Sequence, residues 1–199
     1  MRTVILKYWF IGFLFIPLFL FSQRTDKYNS IYETYFKAEE LYSHLQYGAA
    51  KKEYRDFINS CNNPNDPLYQ KALYYEGVSA LELYNFDAIP LLMEYNRLYP
   101  ENIHRKMISF KIGRFFFHDQ SYDDAQLWFE KVTAADLDSS YREEYHFKMG
   151  YCALQNGIKE LAIKVFRENI NGKSQYAAPS KYFFAHLCYE RGSYQLALE

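Results

Sequence analysis

The stretch Gly113-Arg114-Phe115-Phe116-Phe117-His118-Asp119-Gln120-Ser121-Tyr122-Asp123-Asp124-Ala125-Gln126-Leu127-Trp128-Phe129 decides the fold. A small residue, Gly113, opens it. A second, Ala125, follows twelve residues later, and a large ring, Phe129, four after that. Between them Asp123 and Asp124 follow Tyr122 at a helix start, where carboxylates meet the positive end of the helix dipole. Two antiparallel helices cross closely only where side chains are small, and a large residue one turn later fills the gap to the next hairpin. The stretch reads as a helical hairpin.

The same register recurs along the chain. Ala50, Ala88, Ala125, Ala162 and Ala197 stand at spacings of 38, 37, 37 and 35 residues. Eleven or twelve residues before them stand Ala38, Gly77, Gly113, Gly150 and Ala185, and four after come Tyr54, Leu92, Phe129 and Phe166. A period near 36 residues is the mark of stacked helical hairpins. The helix pairs expected are 26–45 with 48–60, 67–83 with 86–98, 102–117 with 122–134, 139–155 with 158–170, and 176–190 with 194 onward. Glycine and proline agree. Gly48, Gly157 and Gly192 lie in or beside turns within hairpins, and Gly172 is expected to cap a second helix. Pro64, Pro67, Pro100 and Pro179 lie in the links between hairpins. Pro90 falls in a first turn, where a missing N–H costs little, and Asp66 before Pro67 is a good N-cap.

These residues carry a family resemblance. Gly113 to Phe116, Ser121 to Ala125 and Phe129 resemble a tetratricopeptide repeat. Gly150-Tyr151-Cys152-Ala153, Gly157, Leu161-Ala162-Ile163 and Phe166 are similar to the same motif. The resemblance covers residues 26–199 and implies an all-α fold: a right-handed solenoid of antiparallel helix pairs, about five repeats with the last incomplete. Repeats are expected over 26–62, 66–100, 102–136, 139–172 and 176–199. Two departures stand out. The second repeat has one residue fewer between Gly77 and Ala88, and Tyr74, Phe110 and Phe147 fall three rather than four places before the small residue. That variant resembles repeats of cell-envelope proteins, such as periplasmic partners of the Tol system and helical components of outer-membrane assembly.

Residues 1–22 read as a signal peptide. Arg2 and Lys7 give a basic start, and residues 8–21 run for 14 positions without a charge, shorter than the roughly 20 a membrane-spanning helix wants. Ser22 suits the position before cleavage, although Leu20 is a poor residue two places earlier. An uncleaved anchor is the alternative. Export to the periplasm or the outer-membrane periphery is therefore expected. Loss of residues 1–22 takes the formal net charge from -1 to -3, a mildly acidic surface without the footprint of a nucleic-acid binder. Cys61, Cys152 and Cys188 show neither paired-thiol nor zinc spacing. Cys61 reads as a surface thiol. Cys152 and Cys188 read as small buried hydrophobes, with a bridge between them as the alternative.

Catalytic, cofactor and metal sites are not expected. Asn171-Gly172-Lys173-Ser174 lacks the glycine a phosphate loop needs five residues earlier, where Arg167 stands. The five histidines form no metal-spaced pair. The resemblance instead implies a wall of first helices that takes a peptide or protein partner, with Tyr42, Arg114, Phe117, His118, Tyr151, His186 and Tyr189 as the candidate groove. Glu39, Val78 and Gln155 are expected on the same face. Tyr35, Tyr74, Phe110, Phe147 and Tyr182 recur at one repeat position and are assigned to the core. An ordinary solvated wall is the bland alternative for the groove residues. The function expected is a binding scaffold in the cell envelope. The alternative is the sensory front of a longer membrane protein, such as a repeat-containing kinase or transcription regulator, since residue 199 falls inside a helix that has barely begun. Membrane association then follows from an uncleaved N-terminal segment or a missing C-terminal region.

Overall fold

The computed structural model describes residues 19–198. The basic start and most of the apolar run expected to direct export lie outside them. The described residues form ten α-helices and one short 3-10 turn, with no strand among them. They divide into two compact units, one ending at Leu83 and the other beginning at Tyr84.

Unit 1 holds α1 (Phe19–Ser43), α2 (Tyr47–Ser60) and α3 (Pro67–Glu82). Helix α1 starts earlier than expected and runs unbroken through Ser22, so the expected cleavage point lies within a helix. Helix α2 packs against both α1 and α3. Its Ala50, Tyr54 and Phe57 are fully buried, together with Tyr35 and Ala38 of α1 and Ala72 of α3. Asp66 caps α3 as expected: its side chain accepts from the Leu68 N–H at 2.8 Å and from the Tyr32 hydroxyl, which ties the cap back to α1. No membrane-spanning candidate occurs among the described helices.

Unit 2 holds α4 (Ala88–Leu98), α5 (Arg105–His118), α6 (Tyr122–Phe129), α7 (Ser139–Gln155), α8 (Lys159–Arg167), α9 (Ala177–Glu190) and α10 (Tyr194–Ala197). The second expected pair is thus shared out, with α3 closing one unit and α4 opening the next. Helices α5 and α6 pair, as do α7 and α8, and each pair packs on the next through α6–α7 and α8–α9. The first helices of successive pairs also touch, α5 with α7 and α7 with α9. Helix α6 is shorter than expected. It ends at Phe129, and a 3-10 turn over Ala134–Asp136, boxed by Thr133 and Asp136, carries the chain to α7.

The crossing geometry is the expected one, with a sharper physical cause. A Cβ added at Gly113 would stand 2.6 Å from the Phe129 ring, and one at Gly150 would stand 2.9 Å from Phe166. The large ring of the second helix therefore lies directly on the bare backbone of the first helix of its own pair. Phe129 also reaches the next pair through Tyr145, ring centroids 6.1 Å apart. Of the five residues assigned to one core position, Tyr35, Tyr74 and Phe110 are buried and Phe147 is half-buried, whereas Tyr182 is 64% exposed. Tyr182 is a correction. Its ring lies against Phe183 and His186 of the same helix instead of entering the core.

Two further expectations need correcting. Gly172 is not a helix cap, because α8 already ends at Arg167. It makes room for the Glu143 carboxylate, which accepts from the Lys173 N–H at 3.1 Å, the Ser174 N–H at 2.9 Å and the Ser174 hydroxyl at 2.6 Å. Val78, expected on the binding wall, is fully buried. The three cysteines form no disulfide; Cys152 and Cys188 are buried, and burial pushes the Cys152 thiol up to about 12.

Every turn leading into a second helix uses one residue in the left-handed region, four or five places before the repeat alanine. These are Leu45 (φ 60), Tyr84 (φ 54), Gln120 (φ 61), Gly157 (φ 75) and Gly192 (φ 79). Only two are glycine, and an L side chain in this conformation costs roughly 1–2 kcal/mol. Gln120→Gly should therefore raise stability by about 1 kcal/mol, after the entropy that glycine adds to the unfolded chain. Gly157→Gln should lower it by a similar amount, although the space beside Gly157 is open. Thermal melts of both variants check this; two neutral results would show that the turns carry no conformational strain.

Candidate functional site

In unit 2 the first helices α5, α7 and α9 form one wall. A polar cluster lies across the α5–α7 seam. Arg114 of α5 and Lys148 of α7 both reach the Glu144 carboxylate, at 2.8 Å and 2.7 Å, on the same Oε1 oxygen. The Glu144 side chain is 9% exposed, Lys148 15% and Arg114 30%. Glu144 and Lys148 are one helical turn apart, so α7 presents both to the same spot. Burial pulls the Lys148 ammonium below the ordinary lysine range, the Glu144 carboxylate holds it up, and the neighbouring guanidinium pushes it down again. Two cations thus share one buried carboxylate.

Aromatic rings frame the trio. The Lys148 ammonium stands 5.1 Å from the centre of the Phe117 ring, a cation–π contact. Phe117 meets Tyr151 edge-on at 5.7 Å, and Tyr122 closes the triangle at 5.7 and 5.5 Å. Tyr176, just before α9, stacks on Phe147 at 5.5 Å and feels both Glu144 and Arg114. Burial raises its hydroxyl and the carboxylate adds to that, while the guanidinium opposes it.

The seven candidates separate into groups. Arg114, Phe117 and Tyr151 come together around Lys148 and Glu144. His118 ends α5 and stacks on Tyr84 with ring centroids 3.8 Å apart. His186 stacks on Tyr182 at 6.1 Å and pairs with Glu190 at 3.4 Å. Beside it, Tyr182, Ala185, His186 and Tyr189 of α9 line an open groove with Tyr194, Ala197 and Leu198. Tyr42 lies in unit 1, against Tyr75 of α3 at 5.0 Å and Tyr47 of α2 at 5.4 Å.

With this geometry in view, comparison with solved structures is informative. The chain matches MamA RS-1 ArsTM double mutant with a TM-score of 0.62 at 14% identity, covering 84% of this chain and 88% of that one. It matches nearly identical TPR-like repeats of a kinesin light chain from Podosopora anserina with a TM-score of 0.57 at 13% identity, covering 85% and 90%. It also matches the Rap conjugation gene regulator of the plasmid pLS20, solved in complex with the Phr* peptide, with a TM-score of 0.54 at 18% identity. That match covers 85% of this chain and half of the Rap chain. No protein-family model and no curated protein matches the chain. The fold is the tetratricopeptide-repeat fold.

Within a tetratricopeptide pair, Glu144 and Lys148 looked like ordinary charges on a helix, and the sequence reading passed over both. One signal was available. Glu144 lies six residues before Gly150, so it belongs to the seam with the preceding pair, where a carboxylate needs a cation. Breaking a buried ionic group by removing its shared partner leaves uncompensated charge and costs roughly 3–5 kcal/mol, while an apolar replacement of similar volume is often neutral or better. Glu144→Gln should therefore destabilise unit 2 by about 3 kcal/mol, and Lys148→Met by less than about 1. Urea unfolding of both variants decides it; equal losses would show that Lys148, not Glu144, holds the cluster.

Proposed function

We propose that the chain is a binding scaffold that holds partner proteins or peptides on its first-helix walls and catalyses no reaction. The carrying observation is the Arg114–Glu144–Lys148 cluster: charged groups held largely out of water on the α5–α7 wall, framed by Phe117, Tyr151 and Tyr176. Such a site favours a carboxylate-bearing segment. The partner's acidic group meets the guanidinium and ammonium N–H donors gathered there, and the rings bury apolar stems beside it at little entropic cost. That a protein of this fold, the Rap regulator, is solved with a peptide supports the reading.

We place this scaffold in the cell envelope, on the strength of the uncharged run at residues 8–21 behind Arg2 and Lys7. Alkaline phosphatase fused behind residue 40 is expected to be active in cells, because that reporter folds only after export. A fusion inactive in cells overturns the location. A fusion that stays with membranes through a carbonate wash replaces cleavage by anchoring.

For the binding site, partners cross-linked to the full chain in cells should be lost with Arg114→Ala and with Lys148→Met. They should be kept with Lys164→Ala, whose side chain is exposed on the second helix α8. Loss at Lys164 with retention at Arg114 and Lys148 would move the binding surface to the second helices.

A further inference from the structure

A second cluster, in unit 1, is built on a carboxylate. Tyr35, Glu39 and Tyr42 stand at successive turns of α1 and so share one face. The Glu39 carboxylate, half-buried, accepts from the Tyr35 hydroxyl at 2.7 Å. Around it stand tyrosines from all three helices of the unit. Tyr42 meets Tyr47 at 5.4 Å and Tyr75 at 5.0 Å, and Tyr75 stacks on Tyr54 at 5.8 Å with 17° between the planes. Tyr42, Tyr47 and Tyr75 are each half-buried, so this face of the wall meets solvent.

Two features of the cluster ask for a cation. Among the described residues Glu39 is bonded by the Tyr35 hydroxyl and pairs with no cation, while Lys37 pairs with Glu53 at 2.6 Å and Arg55 with Glu76. The fully buried Tyr54 has a hydroxyl with no hydrogen-bond partner. Its ring meets Tyr35 edge-on at 5.9 Å and stacks on Tyr75 at 5.8 Å, which places it in the same cluster, and burial followed by the charge of Glu39 raises its pKa. A carboxylate next to a hydroxyl oxygen with room to accept, walled by ring faces, is the chemistry that receives an ammonium or guanidinium group.

We propose that the Glu39–Tyr42–Tyr75 face of unit 1 is a docking site for a lysine or arginine side chain of a partner protein. The side chain's apolar stem lies along the rings of Tyr42 and Tyr75 while its head meets Glu39. Charge complementarity selects this occupant: a carboxylate without a cation, on a wall whose rings attract cations and whose half-buried position has already removed part of the competing water. The inference rests on the reading that first-helix walls bind partners. It does not rest on the trio in unit 2.

The test uses an N-acetylated hexalysine peptide titrated calorimetrically into the full chain. Binding is expected to weaken about tenfold or more with Glu39→Gln, the scale of a lost hydrogen bond to a charged group. The glutamine keeps an acceptor for Tyr35, so the variant is expected to fold, and its thermal melt confirms that. Tyr42→Leu should weaken binding in the same direction, and Lys164→Ala, on the exposed face of a second helix, should leave it unchanged. A peptide of acetylated lysines should not bind. Equal hexalysine binding by wild type and Glu39→Gln, or none by wild type, overturns the proposal. Spermidine binding as tightly as the peptide overturns the assignment to a protein side chain.

Discussion

The structure depends on one close approach, repeated: a ring of the second helix pressed onto bare backbone of the first. Phe129 on Gly113 and Phe166 on Gly150 leave no space for even a methyl group. That contact sets the distance between the helices of a pair, and with it every other spacing. Ala125 and Ala162 must be small because they sit one turn before the ring, and both are fully buried. The ring has a second edge, and that edge joins the next pair, Phe129 to Tyr145 and Phe166 to Phe183. In these two pairs one aromatic residue therefore fixes both the pair and the stack. A chain with 21 tyrosines and 17 phenylalanines has rings enough left over to line a surface as well.

This constraint explains what the sequence made legible. Small and large residues at fixed offsets are visible by inspection, so the helix pairs, the period and the Asp66 cap could be read directly. The turns could not. The left-handed residue recurs in five turns, but Leu45, Tyr84 and Gln120 hide it where glycine would have announced it. Stacking between pairs imposes the conformation there against local preference. Tyr182 misled for a related reason. It keeps the repeat's core position in sequence, yet its burial needs a ring from the paired helix, and residue type alone does not supply a partner.

The charged cluster across the α5–α7 seam was legible by half. Arg114, Phe117 and Tyr151 were recognisable because residue type varies at their positions from repeat to repeat. Glu144 and Lys148 were not, since a glutamate and a lysine one turn apart are the usual pattern of a solvated helix face. Only packing of α5 against α7 shows that these charges are largely out of water and share a guanidinium. Similarly, Glu39 looked like one more wall residue. What distinguishes it is the set of tyrosines that three separate helices bring around it.

The loop from α8 to α9 shows how a structural device serves the site. Asn171-Gly172-Lys173-Ser174 has the backbone donors of an anion-binding loop, and it binds an anion that the chain itself provides, the carboxylate of Glu143. Those bonds hold Glu143 well below the ordinary glutamate range, with the Ser174 hydroxyl as the largest cause. Asn169 fastens the other side of the loop, donating to the Glu143 carbonyl at 3.1 Å and to the Ser180 hydroxyl at 2.9 Å. The loop is thus tied to α7 beside Glu144, and the next residue able to reach that trio is Tyr176, stacked on Phe147. A motif that fails as a phosphate site becomes the strut that sets one ring of the unit 2 wall. The carboxylate that occupies it and the carboxylate that gathers the cations are consecutive residues, 143 and 144, facing opposite tasks on one helix.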